Sequence, residues 1–363
     1  MKGYTKEELC CIWLDSFLGL EYKHKVKAIE IIKDTDGSSL MERVLKYLLS
    51  VVDKEMHSTL TSSANTKYVE YVLDGLSRAN VSALTIFSES YPKSLKEIPH
   101  PPLVLYYKGD IALLKSKAFG IVGSRKSLPL SIKISENYSK ELSSVGFTLV
   151  TGIAEGVDCA VLKTAVSEKA KAISVIAGGF NHVYPASNKD LLDKVVERGL
   201  AISEYPPDTV PKPFMFPVRN RIIAGLSKGV LIVSGAIKSG TLYTAEYAEE
   251  YGKDLFAVPY SVGIKSGAGC NDLIKRGAIL TDNPKDILDF YGIEKRSERE
   301  TFSELEKQII NCLKDGEVHI EKLSASIGRQ VFEVTPTLSI LEIKGIVARS
   351  GNVYGLISNF SEE

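Results

Sequence analysis

The chain has 363 residues, 44% of them hydrophobic, which is too long for one ordinary domain and apolar enough for packed cores. Its 45 basic residues balance 45 acidic ones, so the overall basicity usual in a nucleic-acid binder is missing, and only a local basic patch stays open. No apolar run approaches the ~20 residues that span a bilayer, and the opening Met-Lys-Gly-Tyr-Thr-Lys-Glu-Glu leads into no signal-peptide core. A cytoplasmic protein without membrane contact is expected. Cys10, Cys11, Cys159, Cys270 and Cys312 form no Cys-x-x-Cys pair, so the pattern indicates neither a disulfide framework nor a zinc site.

Residues 1–82 read as a helical accessory domain. Leu9, Ile12, Trp13 and Phe17 recur at helical spacing, as do Val44, Leu45, Leu48 and Leu49. The polar run 58–66 reads as a loop between helices. Residues 83–292 form the central region. Leu84-Thr85-Ile86-Phe87 and Leu103-Val104-Leu105-Tyr106-Tyr107 are strand candidates, separated by the stiff Tyr91-Pro92 and Pro99-His100-Pro101-Pro102 segments. Short apolar runs then come at 119–122, 147–150, 172–176, 200–203, 229–233, 255–258 and 278–280. Helical stretches near 129–145, 156–169, 187–198, 217–227, 239–252, 271–276 and 284–291 alternate with them. That alternation predicts an α/β fold with a mostly parallel sheet covered on both faces.

Ligands bind such sheets outside the carboxyl ends of the strands. The residues just after each run are therefore informative: Gly123-Ser124-Arg125, then Thr151-Gly152, Gly178-Gly179, Ser203-Glu204, Lys238-Ser239-Gly240-Thr241 and Lys265-Ser266-Gly267. Small residues and cations line one edge, beyond what turns alone require. The stretch 214–227 begins as an aromatic and proline loop and continues as a short helix. Arg219 and Arg221 fall near its start, where a bound anion would be favoured by free N–H groups and arginine forks alike. The competing reading is a pair of surface arginines matched to nearby acids.

Residues 300–363 form a third unit. Ser303-Glu304-Leu305-Glu306 is a capping box that opens a helix through Leu313. A second helix is expected over 321–327. A third begins at Thr335-Pro336 and stops at Gly345, and a hairpin covers 346–356. Three helices and a hairpin suggest a winged helix. Its third helix is poor in cations, which favours protein contact or packing over DNA readout.

Several motifs are missing. There is no P-loop, no Gly-x-Gly-x-x-Gly and no His-Glu-x-x-His. His182 reads as an exposed loop histidine or a group at the ligand edge. Asp158 and Glu204 read as structural acids or as proton carriers. No catalytic constellation, cofactor site or metal site emerges, and a non-enzyme is expected.

Within about 85–290 the chain resembles the DprA (Smf) family of single-stranded-DNA-binding recombination mediators. The resemblance rests on Val122-Gly123-Ser124-Arg125, Thr151-Gly152-Ile153-Ala154-Glu155-Gly156-Val157-Asp158 and Ser203-Glu204-Tyr205. It continues through Phe216-Pro217-Val218-Arg219-Asn220-Arg221-Ile222-Ile223-Ala224-Gly225-Leu226, Ser239-Gly240-Thr241, Phe256-Ala257-Val258-Pro259 and Asn271-Asp272-Leu273-Ile274. It implies an extended Rossmann-like sheet between the helical and winged-helix domains, a homodimer, and loading of the recombinase RecA on strands taken up in natural transformation. It places Arg125, Lys212, Arg219 and Arg221 at single-stranded DNA, and the residues around them and after the strands, Gly123, Ser124, Gly152, Phe214, Phe216, Asn220, Ser239, Gly240 and Lys265, are expected to join them. Phe214 and Phe216 read equally as stacking platforms for a base and as core anchors. Glu155, Leu162, Ser234 and Tyr260 depart from the family pattern, and Glu155 would repel a phosphate placed beside it. The alternative is a Rossmann-like enzyme or sensor for a nucleotide derivative, with Ser239-Gly240-Thr241 at the phosphate and Glu246 as its acid.

Overall fold

The structure, a computed structural model, describes residues 3–35, 39–294, 302–314, 316–343 and 346–357. They fall into two compact units, Met1–Glu294 and Lys295–Glu363.

The first unit opens with helices α1 (Lys6–Asp15), α2 (Tyr22–Lys33), α3 (Leu40–Val51), α4 (Lys54–Ser63) and α5 (Thr66–Arg78). Most of the polar run expected as a loop is therefore helix. Leu60 explains this: it is fully buried, and the neighbouring Ser63 hydroxyl accepts from the Trp13 indole at 3.2 Å, so α4 has a core-facing side. The break is confined to Ala64-Asn65, and the Asn65 side chain caps α5. These helices share one apolar core with the sheet, and the Cys11 thiol donates to the Leu103 carbonyl.

The sheet has nine strands: β1 (Ser82–Thr85), β2 (Val104–Gly109), β3 (Ala118–Val122), β4 (Thr148–Thr151), β5 (Ala172–Ile176), β6 (Leu200–Ser203), β7 (Gly229–Ile232), β8 (Asp254–Ala257) and β9 (Ile279–Leu280). Their order is β1-β2-β6-β5-β4-β3-β7-β8-β9. β1–β2 and β2–β6 are antiparallel, and the remaining pairs are parallel. Strands β3 to β8 are buried along nearly their whole length and mostly apolar, as cover on both faces requires. The connecting helices are α6 (Lys93–Lys96), α7 (Pro129–Ser144), α8 (Val157–Ser167), α9 (Lys189–Val196), α10 (Met215–Leu226), α11 (Leu242–Glu250), α12 (Ala268–Lys275) and α13 (Pro284–Phe290).

From β3 the chain moves outward through β4, β5 and β6. It then returns along α10 to place β7 on the other side of β3. Right-handed crossovers put α7 to α9 on one face and α10 and α11 on the other. The carboxyl ends of β3 and β7 therefore diverge and leave a crevice at the switch point.

In the second unit, α14 (Glu304–Leu313) starts with the expected capping box, and α15 (Ile320–Ile327) comes next. Helix α16 (Val331–Ile343) begins ahead of the expected Thr335-Pro336 start, so Pro336 lies inside it. Its start is made instead by Gln330 and Glu333: the Gln330 N–H donates to the Glu333 carboxylate at 2.9 Å, and Glu333 N–H returns to the Gln330 carbonyl. The expected stop at Gly345 lies outside the described residues. Strands β10 (Val318–His319), β11 (Val347–Ser350) and β12 (Val353–Leu356) form a small antiparallel sheet beside the helices, the winged-helix arrangement. Ile310, Leu323, Leu338 and Leu341 fill its core.

Candidate functional site

A cavity of about 480 Å³ opens at the switch point. Its floor is the loop after β3, with Gly123, Ser124, Arg125 and Lys126. One wall is the start of α8 with Asp158, a second is α10 with Phe216, Arg219 and Asn220, and a third is the start of α11 with Ser239, Gly240, Thr241 and Thr244.

Close backbone approach makes the floor. A Cβ on Gly123 would meet Val157 Cγ2 at 2.5 Å, and one on Gly156 would strike the carbonyls of Ser124 and Arg125. Gly156 also holds φ +79, a region glycine adopts without strain. The Ser124 N–H donates to Ser234 Oγ at 3.1 Å, which ties the β3 loop to the end of β7. Ser234 thus has a positioning role that the sequence pattern did not suggest.

Charge is arranged in two layers. Arg125 and Lys126 are exposed at the mouth. The Arg125 guanidinium lies 4.7 Å from the centre of the Phe216 ring, which also meets Tyr184 edge-on at 5.6 Å. Deeper in, Arg219 is only 5% exposed. Its Nη1 donates to the Val175 carbonyl of β5, and its Nε donates to Asn220 Oδ1 at 3.1 Å. Burial lowers the Arg219 pKa; Asp158 offsets this in part, whereas Arg125 adds to it. Asp158 is buried too, and burial raises its pKa, countered by Arg219 and by the Ala154 N–H, which donates to Oδ2 at 3.2 Å. Three cations against one buried carboxylate leave the cavity net positive. Thr244, also in the lining, is 1% exposed, and its hydroxyl is buried with no partner among the described residues.

Of the residues expected at the ligand, Gly123, Ser124, Arg125, Phe216, Arg219, Asn220, Ser239 and Gly240 line this one cavity. Gly152 lies directly behind it, where a Cβ would collide with Asp158 and come within 2.6 Å of Arg219 Nη1 and Nη2. Lys212, Phe214 and Lys265 are exposed outside the lining. Phe214 is 60% exposed, so it is no core anchor.

Arg221 is elsewhere. Helix α10 starts at Met215, so Arg219 and Arg221 sit one turn or more inside it rather than at its anion-attracting end. Two helical positions are about 200° apart, which turns Arg221 to the opposite side. There it forms an ion pair with Glu204, the side chains being 7% and 17% exposed. Burial works against the Arg221 charge, and Glu204 outweighs it and raises the pKa.

Glu155 is exposed and does not line the cavity, so the expected repulsion is not built into the pocket. Leu162 is fully buried in the core. The Tyr260 hydroxyl donates to the Val233 carbonyl at 2.9 Å, and its ring fills the space beside Gly267. Lys126 and Thr244 were missed by the sequence reading; the adjacency of Lys126 to Arg125 was the one available signal.

A Rossmann-like sheet with an extra antiparallel pair at one edge, and a positive pocket at its switch point, defines a class of α/β ligand-binding proteins. The family model for DNA recombination-mediator protein A matches residues 82–292, and the chain belongs to that family. It is 40% identical over 219 residues to the DNA processing protein DprA of Bacillus subtilis, covering 60% of this chain and 74% of the relative. The crystal structure of DNA processing protein A from Streptococcus pneumoniae superposes with a TM-score of 0.69 at 31% identity, over 79% of this chain and 98% of that one. DNA processing protein A from Helicobacter pylori, whose structure was described for its single-stranded-DNA binding mode, gives 0.53 at 29% identity, over 58% of this chain and 95% of that one. No helix among the described residues is long and apolar enough to cross a membrane.

Proposed function

We propose that this chain binds single-stranded DNA in the switch-point cavity and acts as a non-catalytic recombination mediator. The observation that carries the reading is the net positive cavity, with cations at two depths and one aromatic ring at its lip. Arg125, lying over Phe216, and Lys126 meet phosphates at the mouth as exposed cations. Arg219, held by Val175 and Asn220, supplies a fixed positive field from below. Phe216 offers a ring on which an unpaired base stacks, worth about 1–3 kcal/mol. Gly240 and Thr241 bring the start of α11 to the same space. Homodimer formation, protection of the strand and loading of a RecA-type recombinase extend this reading along the lines the family resemblance implies.

The nucleotide-enzyme alternative needs an acid at the phosphate. Glu246 is exposed and outside the lining, and Asp158, which does line the cavity, is buried, accepts from the Ala154 N–H and faces the Arg219 charge. Both facts favour binding over hydrolysis.

Fluorescence anisotropy of labelled oligo-dT tests the proposal. Engagement of about two to three phosphates gives a log–log salt slope of about −1.4 to −2.1. Duplex of the same length should bind more weakly. Equal affinity for duplex, or a slope near zero, would overturn the reading.

A further inference from the structure

The lining of the switch-point cavity continues past Phe216. That ring also borders a narrow cleft together with His182, Tyr184 and Pro211. The same three residues, with Phe180, Lys189 and Val210, line a second cavity of about 390 Å³. It is built by the loop after β5 and the segment that leads into α10. In the sheet β5 stands two strands from β3 and next to β6, so this cavity extends the carboxyl edge away from the switch point.

Its chemistry repeats that of the first cavity. Tyr184 is 55% exposed, although its ring meets Phe216 edge-on at 5.6 Å, so an aromatic surface stays open beside the one that Arg125 lies over. Lys189 is exposed and is the cation of the lining, which no carboxylate joins. Asp190 and Asp208, the acids of the two segments, are exposed outside it. The opposite direction, across β7, suits a polyanion less. Tyr243 is 47% exposed there at the start of α11, but the exposed Glu246 and Glu250 follow it on the same helix and repel phosphates.

We propose that this second cavity is a further nucleotide subsite on the path of the single strand. From Arg125 the strand passes Phe216, stacks an unpaired base on Tyr184 and sets a phosphate against Lys189. Stacking uses the π-face that every base has, so the subsite is tolerant of sequence. A duplex keeps its bases paired and offers Tyr184 no free face. The proposal rests on strand binding at the switch point and adds a direction to it, toward β6.

Anisotropy of a labelled oligo-dT of about 12 nucleotides on the full chain tests this, with Arg125→Ala as the reference for the switch point. Tyr184→Ala should weaken binding by about fivefold or more, and Tyr184→Phe, which keeps the ring, should recover the loss. Lys189→Ala should make the log–log salt slope less negative by about 0.7, one phosphate contact. All these side chains are exposed, so melting temperatures should stay as in wild type. A strand carrying a single iodouracil should photo-cross-link to Tyr184. Tyr184→Ala and Lys189→Ala that bind and respond to salt like wild type, while Arg125→Ala weakens binding, would overturn the second subsite and leave the switch-point reading standing. Folded wild type that binds no oligo-dT would overturn both.

Discussion

Arg219 and Arg221 are separated by one residue and look interchangeable in the sequence, yet Arg221→Ala should act on stability rather than on the DNA pocket. The Arg221 and Glu204 side chains are 7% and 17% exposed, so truncating the arginine strands a carboxylate in a poorly solvated place. Breaking a buried pair from one side costs about 3–5 kcal/mol. For a unit of this size each kcal/mol lowers the melting temperature by roughly 2–4 °C, so a drop on the order of 10 °C is expected. Arg221→Met combined with Glu204→Gln removes both charges together and should recover most of that loss. The assay is thermal melting by far-ultraviolet circular dichroism beside oligo-dT anisotropy at a temperature where every variant is folded. Arg221→Ala that melts like wild type, but weakens oligo-dT as much as Arg125→Ala does, would refute the reasoning.

Arg125→Ala should show the reverse pattern. Loss of a charge-assisted phosphate contact is worth about 1.5–3 kcal/mol, roughly ten- to a hundredfold in affinity, with melting unchanged because the side chain is exposed. Gly152→Ala should lower stability by about 1–3 kcal/mol and also weaken binding, since its Cβ would push Asp158 and Arg219 out of place; urea midpoints read the first effect and anisotropy the second. Asp158 gives a pH signature. Its pKa is raised in the fold by burial, so its favourable contribution is complete below the unfolded value and is lost as pH rises through the folded one. Wild-type stability relative to Asp158→Asn should therefore decline across that window and level off above it, and a difference that grows with pH would contradict the burial argument. Asp158→Asn should also bind oligo-dT more tightly at neutral pH, because the cavity loses its one carboxylate.

Much of the fold was legible in the chain itself. Strands β3 to β8 announce themselves as short apolar runs, since strands buried on both faces leave no room for polar alternation. The glycines and cations after those runs mark the sheet's carboxyl edge, because parallel order sends every such loop to the same side. The Ser303–Glu306 capping box marked α14 because its signal is local. Where signals were local but context ruled, the reading went astray. The polar residues of α4 look like a loop until Leu60 and Ser63 find Trp13, and Pro336 looks like a helix start until Gln330 and Glu333 make an earlier one.

Tertiary structure alone decided which way each side chain of α10 faces. The helical period separates Arg219 from Arg221, but only the packing of α10 across β3, β4 and β5 says which of them sees the switch-point cavity. It likewise decided that Glu155 points to solvent and that Glu204, a distant acid in the chain, neutralises Arg221. Composition and spacing report which residues are present and how often they recur. The electrostatic character of a site depends on which of them share a desolvated volume, and that is set by the crossing of elements far apart in the chain.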